Sequence, residues 1–400
     1  MPSATGDSHR FLKDAAEKGA VAAIVHSDEG YELALSLGLA VAQLGPEQFD
    51  DSIWRLALAA FGDPGLRLRL IGITGTNGKT TTAWIIRDLL NALGVPCGYL
   101  GTLGFQTPSF ERELANTTPF PIELYAMLHE AADSGCKAMA IEISSHALAQ
   151  HRADGISFEV VAFTNLSQDH LDFLGNMADY EAAKLRLFSE FDSQIQVINI
   201  GDEAGQRFVA ASECPRTFEV LPDPCNQGTD HEGRGVVLPP VTASQRVDSS
   251  ENLPNPRPSE PPNAFNATPL KVELTKLQVA IEGTHFEANL GGDYNVENCV
   301  AAYAIVRALS IPVEVENAPR HDASGAPRLA TTSRGAGDGS CTGFEAQGFS
   351  PEHVCQAMAH VRPVPGRFEP VRNERNIGII VDYAHTPDAL TKLLQTARPL

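Results

Sequence analysis

The hydrophobic pattern divides the chain into short apolar runs and longer segments in which apolar residues stand three or four positions apart. The first pattern is typical of buried strands, and the second of helices with one buried face. A helix is predicted at 11–18, a strand at 21–25 and a helix at 53–61, and from residue 70 the two patterns alternate. This alternation predicts an α/β protein with a mostly parallel sheet and helices on both of its faces.

The elements that follow residue 70 can be placed from the same patterns. Strands are predicted at 70–74, 97–101, 138–143, 160–165, 196–200 and 216–220, with a meander at 270–274, 277–281 and 286–290 and a last strand at 377–381. Helices are predicted at 79–93, 121–134, 177–191, 203–211 and 295–309. Two polar segments, 222–269 and 317–341, are predicted to be loosely packed insertions.

One strand–helix junction carries a specific chemical signal. The strand at 70–74 runs into a glycine-rich turn, then into Lys79 and three threonines at the start of a helix. Glycines let main-chain N–H groups approach phosphate oxygens, and the helix start adds the positive end of its dipole. We expect Lys79 to reach the β- and γ-phosphates and Thr80 to bind magnesium. The common form of this loop has a glycine where Ile73 stands, and an ordinary strand–turn–helix junction is the alternative interpretation.

Composition narrows the range of partners. The chain has 400 residues, 30 Lys and Arg against 50 Asp and Glu, and a formal charge of −20. Such an acidic chain is expected to bind neither nucleic acid nor anionic membranes, so positive potential must be built locally at a nucleotide. Seven cysteines without a CxxC pair indicate free thiols in a reducing compartment. No targeting segment or membrane span is predicted.

Polar residues stand at the ends of other predicted strands, where an open parallel sheet binds its ligands. Glu142 closes the strand at 138–143, His170 follows the strand at 160–165, and Lys184 lies on the next helix. A carboxylate at such a strand end is a natural ligand for Mg²⁺ beside a nucleotide. Taken singly, Glu142 could be a helix-start charge, His170 a structural histidine and Lys184 part of a solvated helix face.

Eight ordered motifs together show more than any of these residues alone. They are Gly75-Thr-Asn-Gly-Lys-Thr-Thr81, Asn116-Thr-Thr-Pro119, Glu142-Ile-Ser-Ser-His-Ala-Leu148, Asn165-Leu-Ser-Gln-Asp-His-Leu-Asp172, Tyr180-Glu-Ala-Ala-Lys184, Gly292-Asp-Tyr-Asn-Val-Glu-Asn298, Gly366-Arg-Phe-Glu369 and Asp382-Tyr-Ala-His-Thr-Pro-Asp388. In this order they resemble the Mur ligase family. The resemblance is to its branch that adds the third amino acid of the peptidoglycan precursor, and it covers residues 70–400.

The resemblance implies three parts: a partial N-terminal α/β domain for the UDP substrate at 1–69, a central ATP-binding domain at 70–363, and the start of a Rossmann-like, amino-acid-binding C-terminal domain at 364–400. It also implies an ATP-dependent carbon–nitrogen ligase that works through an acyl phosphate. Its substrates would be UDP-MurNAc-L-Ala-D-Glu and a diamino acid, with ATP and Mg²⁺ as cofactors.

The resemblance also assigns roles to residues. Catalysis is implied for Lys79, Glu142, His170 and Lys184, and metal binding for Thr80, Glu142, His170 and Lys184, the last as N6-carboxylysine. ATP contacts are implied for Gly75, Thr76, Asn77, Gly78, Lys79, Thr80, Thr81, Asn295, Asn298, Arg367 and Asp382. Substrate contacts are implied for Asn116, Thr117, Thr118, Ser144, Gln150 and Arg152.

Three alternatives stay open at this point. Meso-diaminopimelate is the expected amine, with L-lysine as the alternative, because the Asp-Asn-Pro-Arg motif that recognises the diamino acid does not occur in the sequence. We expect a cytoplasmic monomer, shortened at both ends and inactive by itself in the full ligation. A non-catalytic scaffold of a plastid complex, located in the stroma, and a folylpolyglutamate synthetase are the competing functions.

Overall fold

The computed structural model describes residues 2–3, 6–167, 176–213, 215–221, 264–309, 349–371, 373–374, 377–385 and 387–398. Its strands are β1 (Pro2–Ser3), β2 (Gly6–Asp7), β3 (Ala22–Val25), β4 (Ala40–Gln43), β5 (Arg69–Thr74), β6 (Cys97–Gly101), β7 (Gly104–Gln106), β8 (Glu111–Arg112), β9 (Ala138–Glu142), β10 (Phe158–Phe163), β11 (Ser193–Asn199), β12 (Pro215–Val220), β13 (Ala264–Val272), β14 (Leu277–Ile281), β15 (Thr284–Ala288), β16 (Glu369–Pro370) and β17 (Ile380–Val381).

The α-helices in the same residues span Leu12–Glu17, Asp28–Ser36, Pro46–Phe61, Lys79–Ala92, Pro121–Asp133, Ser145–Ala149, Met177–Ser189, Gly205–Ala210, Tyr294–Ala308, Pro351–Met358 and Pro387–Ala397. Short 3-10 helices occur at Ser8–Phe11 and Pro64–Leu66. No described helix is long and apolar enough to cross a bilayer. We refer to Lys79–Ala92 as the phosphate-loop helix.

One large sheet organises the described chain. Its eleven strands lie in the order β15-β14-β13-β12-β11-β10-β5-β9-β6-β7-β8. The strands from β6 to β13 in this order pair in parallel, and antiparallel strands complete both edges. Helices cover both faces, since one apolar core contains the phosphate-loop helix and Tyr294–Ala308 while the other contains Pro121–Asp133. The predicted α/β class with a mostly parallel sheet is confirmed.

Strand register brings the candidate chemistry to one edge of this sheet. β5 pairs with β9 so that Ile73 lies opposite Glu142, and with β10 so that Thr74 lies opposite Phe163. The carboxyl ends of these parallel strands therefore coincide. The phosphate loop leaves β5 at this edge, directly beside the last residue of β9.

The N-terminal part has a small sheet and a small apolar core of its own. β3 and β4 pair in parallel, and Val25, Ala34 and Leu39 form a separate buried cluster. The helix at Asp28–Ser36 was not predicted, although Ser27 accepts a hydrogen bond from the main-chain N–H of Gly30 and so caps it. The buried residues of this helix are Gly30 and Ala34, whose small side chains give a weak periodic signal.

The structure differs from the sequence-based expectation at the edges of the sheet. β13 begins at Ala264, so the last residues of the segment predicted as a loose insertion at 222–269 belong to a strand. The short strands β7 and β8 and the helix Pro351–Met358 were also not predicted. Two- and three-residue strands carry too little periodicity to be recognised, because their pairing depends on neighbours that are distant in sequence. The insertion predicted at 317–341 lies outside the described residues.

The segment between the helix Pro351–Met358 and β16 is anchored on the phosphate-loop helix. The buried carboxylate of Asp88 accepts hydrogen bonds from the main-chain N–H of Arg362 at 3.1 Å and from its guanidinium at 3.0 Å. Asp88 also pairs with Arg87, whose guanidinium stacks on Trp84. This contact fixes the point at which the chain leaves the central sheet towards β16.

Candidate active site

A cleft of about 580 Å³ opens at the carboxyl edge of the sheet. The phosphate loop forms its floor, the ends of β6 and β9 form one wall, and residues from Tyr294 onward form the other. Its lining includes these residues predicted for the site: Thr76, Asn77, Gly78, Lys79, Thr80, Thr81, Asn116, Thr117, Glu142, Ser144, Arg152, Asn298, Arg367 and Asp382. Sequence reasoning from separate strand ends and helices therefore converges on one cavity.

Two glycines give the phosphate loop its shape. Gly78 has a φ of 87°, a left-handed conformation that costs other residues free energy, and it immediately precedes the phosphate-loop helix. A Cβ at Gly78 would stand 2.3 Å from Oδ1 of Asn298, and one at Gly75 would stand 1.9 Å from Oγ1 of Thr164. The loop can approach its neighbours this closely only because both positions lack a side chain.

Hydrogen bonds to the segment after β10 hold the loop in place. The main-chain N–H of Asn77 donates to Oδ1 of Asn165 at 2.9 Å, and Thr164 donates to the carbonyl of Asn77 at 2.7 Å. Thr76 accepts a hydrogen bond from the N–H of Ser167 at 2.9 Å, and Tyr180 donates to the same hydroxyl at 3.2 Å. The loop is thus preorganised by residues that are 87 to 104 positions away in sequence.

Lys79 and Lys184 meet at one atom of this loop. The ammonium groups of Lys79 and Lys184 donate to the carbonyl oxygen of Gly75 at 2.9 and 2.8 Å, and Lys79 also donates to the carbonyl of Thr76. Lys184 is 1% exposed, and its ammonium lies 4.3 Å from the ring centre of Tyr180. It therefore lies behind the loop, whereas Lys79 lines the cleft.

Glu142 is the most strongly hydrogen-bonded acid of the site. It is fully buried at the end of β9, and Thr80 donates to its Oε2 at 2.9 Å. Thr102 donates to Oε1 through its main-chain N–H at 2.9 Å and to Oε2 through its hydroxyl at 3.3 Å. The hydroxyl of Tyr99 donates to Oε1 as well. Four donors compensate the burial of this carboxylate.

Tyr99 and Thr102 were missed by sequence reasoning. Burial, and then the negative charge of Glu142, raise the pKa of Tyr99 well above its ordinary value. Its hydroxyl therefore keeps its proton, and stays a donor, throughout the physiological range. The signal in the sequence is a phenol within the otherwise apolar β6, two residues before Gly101 and three before Thr102. That signal points to Glu142 only once β6 is known to pair with β9.

The wall that contains Arg152 combines contacting and supporting residues. Thr118 is fully buried and donates to the main-chain carbonyl of Glu142 at 2.8 Å, so it supports the wall without lining it. Arg152 donates to the carbonyl of Thr118 at 2.9 Å and to Oε1 of Gln150 at 2.6 Å, and its guanidinium lies over Phe120. Gln150 is not part of the lining and acts through Arg152.

The opposite wall shows the same division. Asn298 reaches the cleft, whereas Asn295 is fully buried and accepts a hydrogen bond from Asn298 at 2.9 Å. Arg367 donates to the hydroxyl of Thr80 at 3.3 Å and so bridges the two walls. Asp382 accepts hydrogen bonds from the main-chain N–H groups of Phe368 and Ala384 at 2.7 and 2.8 Å, which shapes the turn after β17.

The donor set beside Lys79 fits Mg²⁺. A threonine hydroxyl and a carboxylate oxygen are hard ligands of the kind that Mg²⁺ takes from protein in nucleotide sites. Within the described ranges, no group of three or more His, Cys, Asp or Glu residues could hold a metal. His170, predicted as a further ligand, lies outside the described residues.

The cleft has slightly more positive than negative side chains although the chain as a whole is acidic, and its acids are Glu142, Glu297 and Asp382. Lys79, Arg152, Arg367 and Lys392 line it, and the start of the phosphate-loop helix points its dipole at the same volume. His146 and His385 are further potential donors. An anionic ligand would find its counter-charges here.

The fold and the phosphate loop together define a class of protein, the α/β proteins that have a nucleotide-type phosphate loop at the carboxyl edge of a parallel sheet. Residues 73–221 match the family model described as the Mur ligase middle domain. The chain is 32% identical over 402 residues to the UDP-N-acetylmuramoyl-L-alanyl-D-glutamate–2,6-diaminopimelate ligase of Nostoc sp.. That match includes 100% of this chain, and the chain spans 66% of the length of that relative.

Solved structures agree on the fold. A UDP-N-acetylmuramoyl-L-alanyl-D-glutamate–2,6-diaminopimelate ligase superposes with a TM-score of 0.63 at 22% identity, over 96% of this chain and 69% of that one. The MurF ligase of Thermotoga maritima, solved in complex with ADP, gives a TM-score of 0.53 at 15% identity, over 95% and 72%. This chain belongs to the Mur ligase family, within its MurE group.

Proposed function

We propose that this chain uses ATP to activate a carboxylate, as part of a ligase that adds the third amino acid to UDP-MurNAc-L-Ala-D-Glu. The observation that carries the proposal is the 2.9 Å hydrogen bond between Thr80 and Glu142. It joins the start of the phosphate-loop helix to the end of β9. Two oxygen ligands suited to Mg²⁺ therefore stand together in the same cleft as Lys79.

In the proposed reaction, the γ-carboxylate of the D-glutamyl residue attacks the γ-phosphorus of ATP. A new O–P bond forms, the bond between that phosphorus and the bridging oxygen of ADP breaks, and ADP leaves with the electron pair. The amine of the third amino acid then attacks the acyl carbon, phosphate leaves as the C–O bond breaks, and the amine loses a proton to solvent.

Such a reaction must bring two anions together, so positive charge has to be placed where they meet. Lys79 and the N–H groups of the loop would neutralise the phosphates, and Arg367 would approach the nucleotide from the other wall. Magnesium held by Thr80 and Glu142 would supply further charge stabilisation. On the opposite side, Arg152 would hold an anionic group of the muramyl substrate through a charge-assisted hydrogen bond.

Lys184 is proposed to act as a carbamate. An ammonium group would repel a metal ion, whereas carboxylation by CO₂ converts it into an anion that could bind one. A carbamate keeps one N–H, so it could retain the hydrogen bond to Gly75 that the amine makes at 2.8 Å. The test is mass spectrometry of the native protein in ¹³C-bicarbonate, with Lys184→Ala as control. A labelled adduct that the variant lacks is expected, and equal labelling of both proteins would refute the assignment.

Meso-diaminopimelate is proposed as the amine, on the strength of the name of the Nostoc relative, and L-lysine is the competitor. Because the chain spans 66% of that relative, the activating half-reaction is the step to test first. Hydroxylamine can serve as the nucleophile in place of the amino acid. It converts an acyl phosphate into a hydroxamate, which is detected as its coloured iron complex.

We expect hydroxamate and ADP to form in equal amounts when the chain, MgATP, hydroxylamine and UDP-MurNAc-L-Ala-D-Glu are present together. Lys79→Ala should form neither product. Formation of hydroxamate with a folate in place of the muramyl dipeptide would assign the chain to the folate ligases. A chain that binds no nucleotide and forms no hydroxamate would support the non-catalytic scaffold and overturn the proposal.

A further inference from the structure

We propose that Tyr99 is a positioning residue that locks the Glu142 carboxylate so that one oxygen, Oε2, is offered to the metal ion. This inference rests on the proposed function, because it concerns the metal that accompanies the nucleotide. It assigns a role to a residue outside the motifs, on a strand that supplies no ligand itself.

The two oxygens of Glu142 have different kinds of partners. Oε1 accepts from the main-chain N–H of Thr102 at 2.9 Å and from the hydroxyl of Tyr99. The direction of a main-chain N–H is fixed by the backbone, so this donor stays aimed at Oε1. The Tyr99 hydroxyl is fixed as well, because its oxygen already accepts the N–H of Leu103 at 3.1 Å, which directs its proton towards Glu142.

Oε2 is different, because its partners are the hydroxyls of Thr80 at 2.9 Å and Thr102 at 3.3 Å. A threonine hydroxyl can rotate its proton and present a lone pair instead. When a cation arrives, Oε2 and the Thr80 oxygen can both face it, while Oε1 remains occupied by its two fixed donors. Glu142 would therefore bind through one oxygen, as suits Mg²⁺, which demands a near-ideal octahedron and keeps most of its water.

Packing makes this lock rigid. The Tyr99 side chain is fully buried, and its ring meets that of Trp84 edge-on, with centroids 5.7 Å apart. Gly101 provides the space for the contact, since a Cβ there would stand 2.1 Å from Oε1 of Glu142 and 2.6 Å from the Tyr99 hydroxyl. Groups that orient metal ligands in this way commonly change metal affinity by about 10- to 100-fold when they are removed.

The test compares Tyr99→Phe with Tyr303→Phe. Tyr303 is also fully buried, and its hydroxyl also donates to a carboxylate, that of Glu282 at 2.6 Å, but it lies outside the cleft. Binding of a fluorescent ADP analogue would be measured in EDTA and then over a series of Mg²⁺ concentrations, with a thermal melt of each protein. The melt reports the structural cost that both variants share.

We expect Tyr99→Phe to raise the Mg²⁺ concentration for half-maximal effect by about 10-fold, with affinity in EDTA unchanged. Tyr303→Phe should lower the melting temperature without moving the Mg²⁺ curve. If Tyr99→Phe does not fold, Tyr99→Met, which also lacks the hydroxyl, carries the same expectation.

Two outcomes count against the inference, and they are distinguishable. If wild type shows a Mg²⁺ effect and the Tyr99 variant shifts it by less than 2-fold, the tyrosine is merely structural and only this inference fails. If wild-type protein binds no nucleotide, or binds it independently of Mg²⁺, the proposed function fails as well.

Discussion

The sheet side of the cleft and the described residues of segment 367–385, on its C-terminal side, are built in different ways. On the sheet side, Glu142 and Thr80 are buried, and their hydrogen bonds come from residues fixed by strand pairing. On the C-terminal side, Tyr383 is 58% exposed, and Arg367 makes the 3.3 Å contact to Thr80 that joins the walls. The chemical groups on the sheet side are therefore preorganised by strand pairing, while segment 367–385 adds binding groups, such as Arg367, that are less buried.

The largest effect should come from Lys79→Ala, which removes the positive charge of the phosphate loop at the floor of the cleft. Loss of a charge-assisted contact to the phosphates should weaken binding of ADP about 100-fold, which corresponds to ~3 kcal/mol. Calorimetric titration measures this loss. Lys276→Ala, an exposed residue of β13–β14 that pairs with Glu287, is the control and should bind like wild type. Equal affinity in the two variants would show that the loop does not hold the phosphates.

Glu142→Gln should have the second-largest effect on nucleotide binding. It removes the negative charge of this side chain while keeping its size and most of its hydrogen bonds. The amide oxygen can take the place of Oε1 and accept from Tyr99 and Thr102, while the NH₂ can donate to the Thr80 hydroxyl. We expect the melting temperature to stay within a few degrees of wild type while the gain in nucleotide affinity on adding Mg²⁺ falls about 30-fold, because the metal loses an anionic ligand. Retention of the full Mg²⁺ effect would remove Glu142 from the metal site.

Two glycines, one at each end of the phosphate-loop helix, allow the effect of close packing to be separated from the effect of a left-handed backbone. Gly78 and Gly94 have φ values of 87° and 82°, but a Cβ at Gly94 meets nothing within 4 Å, whereas one at Gly78 meets Asn298. Gly94→Ala should cost about 1 kcal/mol of stability from the left-handed conformation alone. Gly78→Ala should cost more and should also weaken nucleotide binding about 10-fold. Urea unfolding and titration measure both, and equal losses in the two variants would contradict the close packing of the loop.

The smallest effect should come from the more exposed segment 367–385. Arg367→Ala removes a guanidinium that contacts Thr80 and Tyr383 without supporting a core. We expect nucleotide affinity to fall about 3- to 5-fold with an unchanged melting temperature, since partly exposed charges contribute ~1 kcal/mol or less. A large drop in melting temperature would show that Arg367 supports the fold and that this segment does not differ from the sheet side in the way described.

Much of this arrangement could be predicted from local sequence. Periodicity predicts β5 and the strands β9 and β10 that flank it in the sheet, and it places Glu142 at a strand end. The phosphate loop follows from the need of phosphates for glycine and lysine. Buried side chains such as Thr118 and Asn295 were predicted as ligands from the sequence. The local sequence does not determine which face of a helix or loop is buried by the rest of the fold.

Other features depend on long-range pairing and could not be predicted. Tyr99 acquires its role because β6 lies next to β9, and Lys184 lies behind the loop because its helix packs beneath Gly75. The domain limits and the carboxylated state of Lys184 stay predictions. His170, the remaining predicted ligand, falls outside the described residues.

The most direct test of the proposed nucleotide site is a titration of the wild-type chain with a non-hydrolysable ATP analogue, in EDTA and in Mg²⁺. We predict one binding site per chain, tighter in Mg²⁺ than in EDTA, which is lost in Lys79→Ala. Binding that is absent, or equal in wild type and Lys79→Ala, would contradict the claim that this cleft holds a magnesium nucleotide.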